Sequence, residues 1–265
     1  MKLIDLSSLL DPADRDKLPA SLRAAAGVVA PQVAYLRPEA VEGKDRFCAF
    51  FDCTHDDLPD GEGWGSEVLT DMSSHCGTHV DAPLHSGSLC EGRPARTIDQ
   101  IGLDELFRPG VVLDLRPDVQ PCGAITIEML QAALARAHVD DIRGHAVLLR
   151  TGQERYLIDE PGYFQYPGMT RDSTLYLTER GATVLGTDAV GWDRPFGTMA
   201  ADSKRTGDPA LLWDGHKAIT RREAFIVQQL CNLGALPGSG FQVGFFPLKL
   251  ARASAAPARA VAFVP

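Results

Sequence analysis

The chain has no run approaching the ~20 consecutive apolar residues that a membrane span requires. No apolar stretch with a cleavage site follows Met1-Lys2, so no leader peptide is expected. Basic charge is also short. Lys and Arg number 26 against 35 Asp and Glu, a net charge of −9, which argues against nucleic acid as a partner. The six cysteines, at 48, 53, 76, 90, 122 and 231, include no Cys-x-x-Cys pair. Neither a zinc ribbon nor a dithiol redox motif is therefore indicated, and reduced thiols in a cytoplasmic protein are expected. No Gly-x-Ser-x-Gly occurs, which disfavours a serine hydrolase of the nucleophile-elbow type. With no internal repeat, low-complexity run or composition break, residues 1–265 are expected to form one domain.

Histidine is scarce too, at seven residues, yet three of the seven fall in one eleven-residue stretch, His75-Cys76-Gly77-Thr78-His79-Val80-Asp81-Ala82-Pro83-Leu84-His85. On a helix, His75 and His79 would share a face and Asp81 would point away from it. On an extended strand His75, Gly77, His79 and Asp81 all point to one side. Thr78 and Val80 suit a strand and Gly77 weakens a helix, so His75 to Asp81 is expected to be extended. Cys76 then faces away as a packing residue. Pro83 has no N–H to donate, so it ends the pairing and leaves His85 just past a turn. Two imidazoles and a carboxylate make a facial ligand set with open positions, the pattern of a catalytic rather than a closed structural metal. Zn, Mn and Fe(II) all suit it. His85 is placed to carry a proton. The plain alternative, a polar turn with surface histidines, has no need of ligands spaced by parity.

This stretch resembles the signature of the metal-dependent cyclase family, His-x-Gly-Thr-His-x-Asp-x-Pro-x-His, with every fixed position matched. The family includes bacterial kynurenine formamidases and isatin hydrolases. Ile4-Asp5-Leu6-Ser7, Gly186-Thr187-Asp188, Phe246-Pro247-Leu248-Lys249 and Arg259-Ala260-Val261 are similar to its other strands. Tyr163 to Met169 and Trp213 to Ala218 look most like the isatin-hydrolase-like branch. The resemblance implies a single-domain α/β fold with a β-rich core and flanking helices. It implies a hydrolase cleaving the C–N bond of a small cyclic amide, isatin to isatinate, through metal-activated water. His85 would be the general acid/base, and His75, His79 and Asp81 the ligands of one divalent ion, Mn or Zn. N-formylkynurenine deformylation and lactone hydrolysis are the alternatives within this class. A metal- or ligand-binding protein with a decayed site is the alternative outside it. In formamidase-like members a His and a Glu hold a second metal. The matching positions here look like Tyr166 and Asp172, which argues for a single ion. The resemblance also implies a homodimer or homotetramer acting on a small molecule.

Elsewhere, Lys2 to Leu6 reads as a strand, and Asp11 to Ala30 as polar and then Ala-rich with a short helix. Pro31 to Gly65 reads as a long loop. Its Phe47, Phe50, Phe51 and Trp64 are either pocket walls for a planar substrate or packing residues. Of these, Phe51 and Trp64 are carried forward as substrate-binding candidates together with His216. Gly110 to Leu115, Ala146 to Leu149 and Ala182 to Asp188 read as buried strands, alternating with helices after the N-cap Thr126 and over Asp172 to Glu179. Thr220-Arg221-Arg222-Glu223 reads as a capping box opening a helix through Ile226, Leu230 and Leu233. Phe241 to Ala251 and Ala258 to Val264 read as the last strands, and Asp188 as either a functional group or a cap.

Overall fold

The computed structural model describes residues 1–265, the side chain of Ser21 apart. Eight strands form the main sheet: β1 (Lys2–Asp5), β2 (His79–Asp81), β3 (Phe107–Asp114), β4 (Ala146–Arg150), β5 (Val184–Thr187), β6 (Phe225–Gln228), β7 (Phe241–Pro247) and β8 (Ala255–Val264). Their order is β1-β8-β7-β3-β4-β5-β6-β2, and β2 also pairs with β8. Seven strands therefore close into a barrel-like ring, with β1 added along β8. β3, β4, β5 and β6 run parallel to one another, and the remaining pairs are antiparallel. The parallel strands alternate with helices α2 (Ile127–Arg136) and α3 (Arg171–Glu179), as crossover connections require.

Alternation along the strands divides the apolar residues between two cores. Val112, Leu148, Val227 and Val80 enter the core enclosed by the ring, with Phe245 and Ala260. Val111, Leu113, Leu149 and Ile226 point outward and pack under Leu130, Leu134 and Leu177 of the helices. Thr126 caps α2, its hydroxyl accepting from the Met129 N–H at 3.4 Å. A further helix, α4 (Phe196–Thr206), follows β5. No helix among the described residues is long and apolar enough to cross a membrane.

Two expectations need correcting here. The stretch from Pro31 to Gly65 is not a loop. It holds an eleven-residue helix, α1 (Val41–Phe51), beside a two-stranded ribbon of Gln32–Leu36 and Ser66–Asp71. The run after Thr220-Arg221-Arg222-Glu223 is not a helix either. It is β6, buried along its whole length. A strand covered on both faces loses polar alternation and cannot be told from a buried helix by periodicity.

Candidate metal centre

β2 and β6 lie side by side, with His79 opposite Gln228 and Asp81 opposite Ile226. Val80 and Val227 enter the ring core, so strand parity turns His79, Asp81 and Gln228 the other way. His75 is not part of the strand. It sits in a turn whose Cys76 N–H donates to the Ser73 carbonyl at 3.1 Å. Gly77 then adopts φ +61°, and a Cβ there would lie 2.3 Å from the Leu10 side chain, so glycine lets the chain re-enter the sheet at this point without strain. The expected convergence is met, but by a turn and a strand together. Pro83 opens a one-turn helix, Pro83–Ser86, that carries His85. Cys76 is fully buried, as its packing role requires.

His75 Nδ1 lies 2.8 Å and His79 Nε2 3.4 Å from Asp81 Oδ1. The His79 Nδ1–H donates to the Gly77 carbonyl at 2.7 Å, which leaves Nε2 with its lone pair toward the centre. On the other carboxylate oxygen, Gln228 Nε2 donates to Oδ2 at 2.7 Å and His216 Nε2 stands 3.4 Å away. Asp81 Oδ1 is buried and has no hydrogen-bond partner among the described residues. An orphaned carboxylate oxygen between two imidazole nitrogens is costly in an apolar interior unless a cation takes it up. The donor set therefore fits a divalent ion, with His75, His79 and Asp81 as ligands. Asp81, His85 and His216 form a second group of ligand atoms around the same carboxylate.

The charges divide accordingly. Burial alone would raise the Asp81 carboxyl, but His79, His216 and His75 outweigh it and hold the group well below the usual carboxylate range. Burial pulls His85 down to about 4, and the neighbouring imidazoles add to the effect against the pull of Asp81. Burial opposes charge on His216 too, yet Asp193 and Asp81 raise it to about 9. Asp193, just past β5, holds the Nδ1 side of His216 and accepts from the Gly215 N–H at 2.6 Å. Among this chain's own groups His85 is thus biased toward the neutral imidazole and His216 toward the protonated form.

These groups open onto a cavity of about 350 Å³. Its apolar walls come from Leu18, Leu22 and Val29 near the N-terminus, Phe164, and Phe196 and Met199 of α4. Phe51 and Trp64 are not among its lining residues. They pack with Phe47 and Phe50 on and just after α1, at ring-centroid separations from 4.5 to 5.9 Å. Tyr166 does line the cavity, but Asp172 is exposed on α3 and far from a ligand role. The pair that reaches the second carboxylate oxygen is His216 and Gln228. Asp188 serves as a cap, accepting from the backbone N–H groups of Thr151, Gly152 and Gln153 at 2.7–3.2 Å. Sequence reading missed Gln228 and Asp193. β6 was the signal for the first, and Asp193 carries no local one.

The family model "Putative cyclase" matches residues 4–194. Among curated relatives, the isatin hydrolase of Roseibium aggregatum is 27% identical over 203 residues, covering 73% of each chain. The kynurenine formamidase of Paracidovorax citrulli is 29% identical over 203 residues, covering 73% of this chain and 78% of the relative. Among solved structures, an isatin hydrolase bound to the product analogue thioisatinate superposes with a TM-score of 0.73 at 23% identity, over 100% of this chain and 92% of that one. Isatin hydrolase A from Ralstonia solanacearum gives 0.72 at 22% identity, again over 100% and 92%. With the family model spanning most of the chain and its signature residues gathered at one buried centre, the protein belongs to the Cyclase family and is a hydrolase.

Proposed function

We propose that the protein is a metal-dependent amidohydrolase that opens a small cyclic amide, isatin to isatinate, using one divalent ion, Mn or Zn, on His75, His79 and Asp81. The observation that carries this reading is the buried, unpartnered Asp81 Oδ1 between two imidazoles at the cavity. Once bound, the ion would polarise the amide carbonyl and acidify water. His85, biased toward the neutral form, takes the proton from the attacking water as the C–O bond forms. It returns that proton to the ring nitrogen as the C–N bond breaks. His216, held by Asp193 on its Nδ1 side, turns Nε2 toward Asp81 at the cavity and helps to orient that carboxylate. The apolar walls suit a flat bicyclic ring, and relatives named isatin hydrolase and kynurenine formamidase support amide cleavage.

Gln228 favours one ion over two. Its neutral carboxamide already donates to Asp81 Oδ2, the oxygen that a second cation bridged by this carboxylate would use. N-formylkynurenine and lactones are the competing substrates. An open cavity beside an intact ligand set argues against a decayed binding protein. The arm from Gln32 to Asp71 supports a homodimer or homotetramer. Phe50, Phe51 and Leu69 are 69%, 60% and 53% exposed there, and a two-stranded ribbon is marginal in water unless something covers it. Six free cysteines fit a cytoplasmic location. The test is a kcat/KM panel of isatin, N-formylkynurenine and an aryl lactone on metal-loaded protein. Isatin should rank first, and preference for either other compound would reassign the substrate.

A further inference from the structure

Among the four histidines of the centre, two are oriented by hydrogen bonds, His79 Nδ1 on the Gly77 carbonyl and His216 Nδ1 on Asp193, and His75 Nδ1 faces Asp81 Oδ1 as a fellow donor toward the ion. Neither ring nitrogen of His85 makes a hydrogen bond to the described residues, although a proton carrier is usually aimed by a third group. What fixes the ring is packing. It lies 3.9 Å from the His75 ring, tilted by 38°, and stands perpendicular to Trp213 at 4.8 Å. Trp213 also lies 4.8 Å from the His216 ring at 35°, so it contacts both imidazoles on the catalytic side.

The backbone at Trp213 gives a second, independent observation. Its φ of +59° and ψ of +36° place it in the left-handed region, where a bulky side chain is an outlier. The Lys217 N–H donates to its carbonyl at 3.0 Å, closing the one-turn helix Asp214–Lys217 that carries His216. Glycine would satisfy this turn without strain. The turn instead holds an indole in the cavity wall, against His85. We infer that Trp213 is the positioning residue for His85, holding the imidazole by packing where no hydrogen bond does. The inference rests on the reading of His85 as the proton carrier.

The test pairs kinetics with a structural readout. Trp213→Leu should lower kcat for isatin by up to about 10²-fold, the cost of misplacing a reacting group, with KM and metal content little changed. Trp213→Phe should recover most of the loss, because a ring again packs on His85. A direct substrate contact would move KM instead and overturn the inference. In a His85→Ala background, Trp213→Leu should cost almost nothing further, since both changes remove one function. Additive losses would overturn the positioning role and leave His85 as the base. If His85→Ala keeps full turnover, the base assignment and this inference fall together. NMR of histidine labelled at Cε1, in the zinc-loaded protein, reads the ring without any substrate. One narrow His85 signal is expected in the wild type and Trp213→Phe, and a broadened or split one in Trp213→Leu. An unchanged signal in Trp213→Leu would contradict the inference.

Discussion

The metal centre and the arm from Gln32 to Asp71 invert the usual rule of what lies inside. At the centre, His79, Asp81, His216 and Gln228 are polar and buried. On the arm, Phe50, Phe51 and Leu69 are apolar and exposed. Both arrangements cost free energy in an isolated chain, and each implies something that offsets the cost. At the centre most polar atoms are already partnered, and the exception, Asp81 Oδ1, points to a cation. On the arm Phe50, Phe51 and Leu69 pack only in part and keep more than half of their surface exposed, which is why an assembly is proposed there. A buried unpartnered oxygen suits an ion, and an exposed aromatic cluster suits the assembly proposed above.

The strongest way to sharpen this contrast is at His85. His85→Ala should lower kcat by roughly 10²–10⁴-fold, the usual contribution of a positioned proton carrier. Metal content should stay near normal and KM should change less than kcat. Loss of the metal on that substitution would make His85 a ligand and His216 the next candidate for the proton. Gln228→Leu comes next in size. Removing the group that orients Asp81 Oδ2 should weaken metal binding by about 10–100-fold in a competition titration. Unchanged affinity would mean that the carboxylate needs no such support.

On the arm, Phe50→Ser combined with Phe51→Ser should shift sedimentation toward the monomer while turnover per chain persists. A parallel loss of kcat would mean that the arm contributes to the cavity after all. The smallest effect is expected far from both regions, at Arg96, which bonds Glu105 and Glu223 at 2.6–2.9 Å. The Arg96 guanidinium lowers the Glu105 carboxyl below its ordinary 4.5. A depressed folded-state value adds stability above the unfolded value and loses it as pH falls through the folded one. Arg96→Met should therefore cost at most about 1 kcal/mol near neutral pH, since the side chains are partly exposed. The variant and the wild type should converge in Tm below about pH 4.5. A gap that persists at low pH would assign the effect to packing instead.

The centre was legible because strand parity is a strong local constraint. His79 and Asp81 share a face of β2, and only the turn at His75 departs from that reading. His216 was also visible as a scarce histidine beside Asp214-Gly215. Gln228 was not, because Ile226-Val227 is buried on both sides and the preceding Thr220-Arg221-Arg222-Glu223 imitates a helix start. Asp193 was hidden for a different reason. Its role depends on the end of β5 meeting the one-turn helix of His216, a contact across 23 residues with no periodic signature. Phe51 and Trp64 do not line this chain's cavity, because aromatic content does not say which surface an aromatic covers.

The most direct test of the central claim is a titration of metal-stripped protein with Mn or Zn while isatin opening is followed. Activity should rise linearly and break at one equivalent per chain, and Asp81→Ala should show neither binding nor turnover. A break at two equivalents, or full turnover in the stripped protein, would contradict the one-ion centre proposed for His75, His79 and Asp81.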